Sequence, residues 1–208
     1  MKLYYSAGAC SLASHIVLEE TGTQYETEVV DTKAKTCASG DYFQITSKGQ
    51  VPAFRMNNGE VLTEGAVIMQ YVADLKPEAN LVPRMGTTER YRVLEATNYV
   101  ASEIHGTYGK LWKAESYFAD EKAREEFKAV VRTELAKKFD YIETQFAKNE
   151  FFAGKTFSIA DAYLFTCWNW NQFVGMETSK WKNINAWASR VYARPAVQRA
   201  MKAEGLLK

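Results

Sequence analysis

The chain has 208 residues, a formal net charge of +1 and 47% hydrophobic residues. That length holds one large domain or two modest ones with a real core, and the near-neutral charge gives no electrostatic reason to expect nucleic acid or an anionic membrane as partner. No apolar run approaches a bilayer span, and the cysteines Cys10, Cys37 and Cys167 form neither a Cys-x-x-Cys pair nor a metal-ligand cluster.

In chain order, the opening Met1-Lys2-Leu3-Tyr4 enters a strand with no apolar leader, so no secretory signal is expected and the odd, scattered cysteines point to a reduced cytoplasmic protein without metal. Leu3 to Ser6 and Tyr25 to Val30 are expected as strands around a helix that carries Leu12, Ala13, Ile16 and Val17 on one side and stops at Gly22. Val51 to Phe54 and Glu60 to Leu62 flank Asn57-Asn58-Gly59, whose Asn-Gly step signals a tight hairpin. A helix over about 65–75 follows, with Val67, Ile68, Tyr71, Val72 and Leu75 apolar, and then an aperiodic linker from Lys76-Pro77 to Gly86. Beyond it every periodic segment is helical. Thr88 to about Trp112 is long and amphipathic, and Ala123 to Phe146 places Phe127, Val130, Val131, Leu135, Phe139, Ile142 and Phe146 on one face. Ser158-Ile159-Ala160-Asp161 has the capping-box pattern and opens an apolar helix from Ala162 to Trp170, the expected centre of the second unit. Arg194-Pro195 breaks the helix before it.

Four constellations could carry chemistry. Cys10 sits where a Gly-containing turn enters a helix, so unpaired amides and the helix dipole favour a thiolate with a pKa below the free value. A free cysteine packed as a small hydrophobe is the alternative. Gln50-Val51-Pro52 enters a strand at a residue that cannot donate to a ladder; a cis bond there would offer the Val51 backbone to an extended peptide, against an ordinary trans proline. Thr63-Glu64-Gly65 opens a helix and suits either a carboxylate ligand with Glu64 pairing an amine, or a plain acidic cap. Asn98, Ser102 and His105 form a polar stripe that Trp112 extends and Tyr108 flanks, either a cleft wall or a solvated face. Cys37, in a polar loop beside Lys35, is expected to be accessible and mildly activated, and Cys167 to be buried. Lys33 and Lys35 are simplest as solvated loop charges, and Tyr4 and Tyr5 alternate across the first strand.

Taken together, Lys2-Leu3-Tyr4-Tyr5 with Gly8-Ala9-Cys10-Ser11-Leu12, Lys48-Gly49-Gln50-Val51-Pro52, Leu62-Thr63-Glu64-Gly65 with Gln70-Tyr71, Ser102-Glu103-Ile104-His105 and Ile159 to Phe165 resemble the glutathione S-transferases along essentially the whole chain, most closely the bacterial cysteine-type, or beta, class. The resemblance implies an α/β thioredoxin-like domain (1–78) that binds glutathione and an all-α helical domain (87–208) that forms the second-substrate pocket. It implies catalytic roles for Cys10 and His105, and glutathione contacts from Cys10, Lys35, Val51, Glu64, Gly65, Asn98, Ser102 and His105. Tyr5, Tyr108, Trp112 and Trp170 are implied as pocket walls. The implied activity conjugates the glutathione thiolate to a small apolar electrophile, with thiol–disulfide exchange through Cys10, in a cytoplasmic homodimer with a detoxification role, without metal, nucleic acid or membrane as partner. A non-enzymatic ligand-binding or interaction protein of the same fold is the alternative. Where that family often has a basic residue after the histidine, this chain has Gly106.

Overall fold

The computed structural model describes residues 1–207, so position 208 of the expected helical unit lies outside the described residues. Strand β1 (Lys2–Tyr5) runs parallel to β2 (Glu26–Asp31) through helix α1 (Ser11–Thr21), and antiparallel to β5 (Ala53–Arg55), which pairs with β6 (Val61–Thr63). Two-residue strands β3 (Thr36–Cys37) and β4 (Gly40–Asp41) extend the other edge, giving the order β4-β3-β2-β1-β5-β6. That small hairpin is too short to show any alternation in sequence. Helix α2 (Gly65–Leu75) packs beside α1. The result is a thioredoxin-like α/β unit followed by helices.

The expected helix from Thr88 to Trp112 is continuous but not uniform. It begins as α3 (Thr88–Tyr99), capped by the Thr87 hydroxyl on the Arg90 amide, passes through a π-helical stretch over Val100–His105, and ends as α4 (Gly106–Trp112). π-Bulges widen a helix and re-aim the side chains on it, and this one carries Ser102 and His105. A short α5 (Ala114–Tyr117) leads into α6 (Glu121–Phe146), α7 (Ile159–Trp168), α8 (Lys182–Tyr192) and α9 (Pro195–Ala203).

Every residue of α7 is buried, as its apolar sequence predicts. The helix stops at Trp168, earlier than expected, and the chain tightens into a 3₁₀ turn over Asn169–Phe173. On α6 the core stripe is Val131, Leu135, Phe139, Ile142 and Phe146, whereas Val130 is 67% exposed because a 26-residue helix presents too narrow a face to bury both neighbours. The main core joins β1, α1, α2 and all the long helices; a smaller core of Tyr4, Val30, Tyr42 and Ala53 lies on the sheet's other face.

Two charge clusters bind α1 to α9. Arg194 grips Glu20 through two nitrogens, and Arg199 reaches Glu19 at 2.6 Å. A third pair, bidentate Arg90 on Asp74 at 2.6 and 2.8 Å, ties α3 to α2.

Candidate active site

The turn between β1 and α1 is held from both sides. The Ser11 hydroxyl bonds the amide and carbonyl of Ser6, both at 3.2 Å, and the Ala9 amide donates to the Ser6 carbonyl at 3.0 Å. Gly8 takes a left-handed φ of +69° that a side chain would strain. Its amide donates to Glu204 Oε2 at 2.9 Å and its carbonyl accepts from Trp170 Nε1 at 2.8 Å, so the helical unit clamps the turn. Glu204 also meets His15 Nδ1 at 2.9 Å, which makes His15 a buried structural imidazole.

Cys10 occupies the N-cap position of α1 without capping the helix with its side chain. Its thiol, half-buried, donates to the Val51 carbonyl at 3.2 Å, and the Val51–Pro52 peptide is cis. The expectation of a thiol pKa below the free value is reversed. Burial is the dominant effect and pushes the thiol up to about 11; the amides of Cys10 and Ser11 do favour the thiolate, as a helix mouth should, but less strongly, while Glu64 and Glu204 add to the rise. Cys37 also departs from expectation: it lies in β3, and burial together with a hydrogen bond to Glu28 raises its thiol. Cys167 is fully buried and its thiol is raised well above the ordinary value.

Two charged ends flank Cys10. Toward α2, a cleft holds Cys10, Val51, Thr63, Glu64, Gly65 and His105. Glu64 stands at the helix N-cap with φ +69° but does not cap it; its carboxylate turns to Lys48 instead, so the plain-cap alternative fails and the mouth of α2 stays open. Gly65 packs on the Pro52 ring, where an added Cβ would sit 3.5 Å away. Toward the helical unit, a second cleft of about 490 Å³ holds Cys10, Lys35, Val51, Gly106, Lys110 and Lys113. Lys35 Nζ donates to the Gly49 carbonyl at 2.8 Å, which holds the ammonium at that cleft's wall.

His105 borders both clefts. Its Nδ1 lies 2.7 Å from the Tyr163 hydroxyl and its ring packs edge-on against Trp170 at 5.1 Å, which fixes its orientation. Burial first and the Lys113 ammonium second lower its pKa, which favours the neutral ring. Ser102 and Asn98 share its helix but are exposed, and the Ser102 hydroxyl bonds back to the Asn98 carbonyl at 3.0 Å, so the structure does not draw these two to Cys10.

A third chamber of about 590 Å³ opens beside the same thiol, lined by Leu12, His105, Trp112, Trp170, Phe173 and Leu206 among others. Trp112 and Trp170 form its aromatic wall, with ring centroids 4.7 Å apart. Tyr5 and Tyr108 are corrections to the expected lining. Tyr5 is buried against His15, and Tyr108 is wholly buried, stacked beneath Trp112 with its hydroxyl on Asn171 at 2.8 Å. Tyr108 supports Trp112 and Trp170 from behind. Phe173, Met201 and Leu206 line the chamber instead. They lie in segments with no motif, and only an exposed Phe in a polar turn could have hinted at the first.

Among the described residues no group of three or more His, Cys, Asp or Glu could hold a metal ion, and no helix is long and apolar enough to cross a membrane. Residues 1–74 match the model of the glutathione S-transferase N-terminal domain, and 111–195 that of the C-terminal domain. Glutathione S-transferase GstA of Escherichia coli O157:H7 is 41% identical over 207 residues, covering 99% of this chain and all of the relative. A glutathione S-transferase from a sphingomonad, solved in complex with glutathione, superposes with a TM-score of 0.91 at 36% identity over the full length of both chains. A beta class glutathione S-transferase of Sphingomonas chungbukensis does so at 0.91 and 38%, again over both full lengths. With a thiol at an open helix mouth, a cleft on either side of it and both family domains matched in order, the chain belongs to the glutathione S-transferase family.

Proposed function

We propose that this chain is a cysteine-type, beta class glutathione transferase that joins the thiol of glutathione to a small apolar electrophile. The observation that carries the reading is the Cys10 thiol on the Val51 carbonyl, midway between a Glu64 end and a Lys35 end. Glutathione is an extended peptide with an amine and a carboxylate at its γ-glutamyl end and a carboxylate at its glycyl end. Its backbone suits that of Val51, which lies just outside the β5 ladder. The amine faces Glu64, the adjoining carboxylate faces the open mouth of α2, and the glycyl carboxylate faces Lys35. Asn98 and Ser102 keep only an outer role, at the rim.

In conjugation, the glutathione sulfur forms a bond to the electrophilic carbon, the bond to the leaving group breaks, and the thiol proton leaves through His105 or solvent. The open helix mouth stabilises the bound thiolate, and holding both reactants beside each other removes entropy from the barrier. The apolar chamber bounded by Trp112, Trp170 and Phe173 supports an aromatic or aliphatic electrophile. In exchange, Cys10 sulfur attacks one sulfur of glutathione disulfide, the S–S bond breaks, a protein–glutathione disulfide forms, and one glutathione leaves. Burial favours the Cys10 thiol over the thiolate that exchange requires, so exchange should quicken as pH rises.

The same reading proposes a domain boundary between 78 and 87, a cytoplasmic location for three unpaired cysteines, and a homodimer that covers the exposed Val67 and Leu75 of α2. Light scattering at micromolar concentration tests the dimer: a monomer mass refutes it. Steady-state conjugation of an aryl halide by the purified protein tests the activity; tight ligand binding with no glutathione-dependent turnover would favour the non-enzymatic alternative.

A further inference from the structure

We infer that Lys113 is a specificity-determining residue that holds the glycyl carboxylate of glutathione together with Lys35. The inference rests on the transferase reading and adds a binding residue to it.

Lys113 lies at the C-terminal end of α4, on the cleft that also contains Lys35, Gln50, Val51 and Cys10. A tripeptide whose cysteinyl unit sits between Cys10 and Val51 places its glycyl unit one residue further along, about 3.5 Å per residue. The γ-glutamyl end occupies the Glu64 side, so the glycyl end falls in the lysine-bearing cleft.

The neighbouring lysines show why Lys113 stands apart. Lys48 is paired with Glu64, Lys110 with Glu134 at 2.9 Å, and Lys138 with Glu103 at 2.6 Å. Among the described residues no carboxylate or hydrogen-bond acceptor meets the Lys113 ammonium. Its charge is therefore uncompensated within the chain and directed at a cleft where the Lys35 ammonium is already anchored on Gly49. Its field reaches the site, since it contributes to the lowered pKa of His105. Gly106, beside His105, brings no cation, and neither it nor Gly109 would place a Cβ closer than about 4 Å to any neighbour, so the helix surface between His105 and Lys113 is open to a ligand. A carboxylate arriving there gains a charge-assisted bond that is partly screened, because Lys113 is exposed.

The test is calorimetric titration of the intact protein with glutathione and with glutathione esterified at the glycyl carboxylate. Lys113→Ala should weaken glutathione roughly threefold to fivefold, the upper part of the range for exposed ion pairs. The same change should leave the ester's affinity within twofold, and Lys113→Arg should restore glutathione binding. Equal weakening of both ligands, or unchanged glutathione affinity in Lys113→Ala, overturns the inference while leaving the transferase reading intact. A wild-type protein that binds neither ligand overturns both.

Discussion

The helix mouths of α7 and α1 are built on opposite principles. At α7, the Asp161 carboxylate, fully buried, accepts from the Ser158 amide and hydroxyl at 3.0 and 2.9 Å, from the Phe152 amide at 2.8 Å and from Trp187 Nε1 at 2.9 Å. Its polar groups are consumed inside the fold. At α1, and again at α2, the N-cap residues Cys10 and Glu64 leave the helix without a side-chain cap, and both mouths open onto clefts. A mouth filled by its own side chains fastens a domain; a mouth left open has amides to offer a ligand. Substitutions at the two kinds of mouth should therefore fail in different ways.

The largest separation should come from Cys10→Ala, which should abolish the protein–glutathione disulfide seen by intact-mass spectrometry while shifting stability by no more than about 1 kcal/mol. Disulfide formation at the wild-type rate would move the capture site to Cys37 and break the comparison. Asp161→Ala should do the reverse. It strands four donors around a buried site and should cost about 3–5 kcal/mol in urea unfolding, with kcat per folded molecule unchanged. Loss of less than about 1 kcal/mol would show that α7 does not depend on its closed mouth.

The remaining two predictions sharpen the open side. His105→Ala should lower kcat about 10²-fold with little change in glutathione affinity, because the ring borders the thiol but its partner, Tyr163, stays packed in α7. A collapse in melting temperature at full kcat would make it structural. Phe173→Ala should raise the electrophile's KM by a few-fold, since an exposed ring at the chamber's edge contributes only part of a full burial, and should leave glutathione's KM alone; an equal rise in both would remove Phe173 from the chamber.

What was legible in the sequence follows the same division. The α7 pattern is local: Ser158 and Asp161 are three residues apart, so spacing alone predicts the bond that forms. The span of α2 and the stop at Gly22 are likewise set by neighbours in the chain. The location of Cys10 at a helix mouth was equally local, but its titration was not. The carbonyl that accepts its hydrogen bond belongs to Val51, forty-one positions on, and the burial that raises its pKa comes from several segments at once. The same holds for Tyr5 and Tyr108, which occur in the right motifs but are covered by His15 and Trp112, and for Met201 and Leu206, brought to the chamber by a helix nearly two hundred residues from the thiol. Val130 was misplaced for a simpler reason: adjacent apolar residues on a helix differ by about 100° and only one of them can face the core.

The pH dependence of Cys10 alkylation in the free protein, with site assignment by mass spectrometry, is the most direct test of an open mouth that still holds a protonated thiol. With the folded pKa near 11, above the roughly 8.5 of free cysteine, the native state retains the proton longer than the unfolded chain. The thiolate fraction should rise about tenfold per pH unit from 7 to 10 without levelling, and native stability should fall as pH climbs from about 8.5 toward 11. Bound glutathione should protect Cys10 throughout. A rate that plateaus below pH 8.5, or a Cys10 that glutathione fails to protect, would contradict the account.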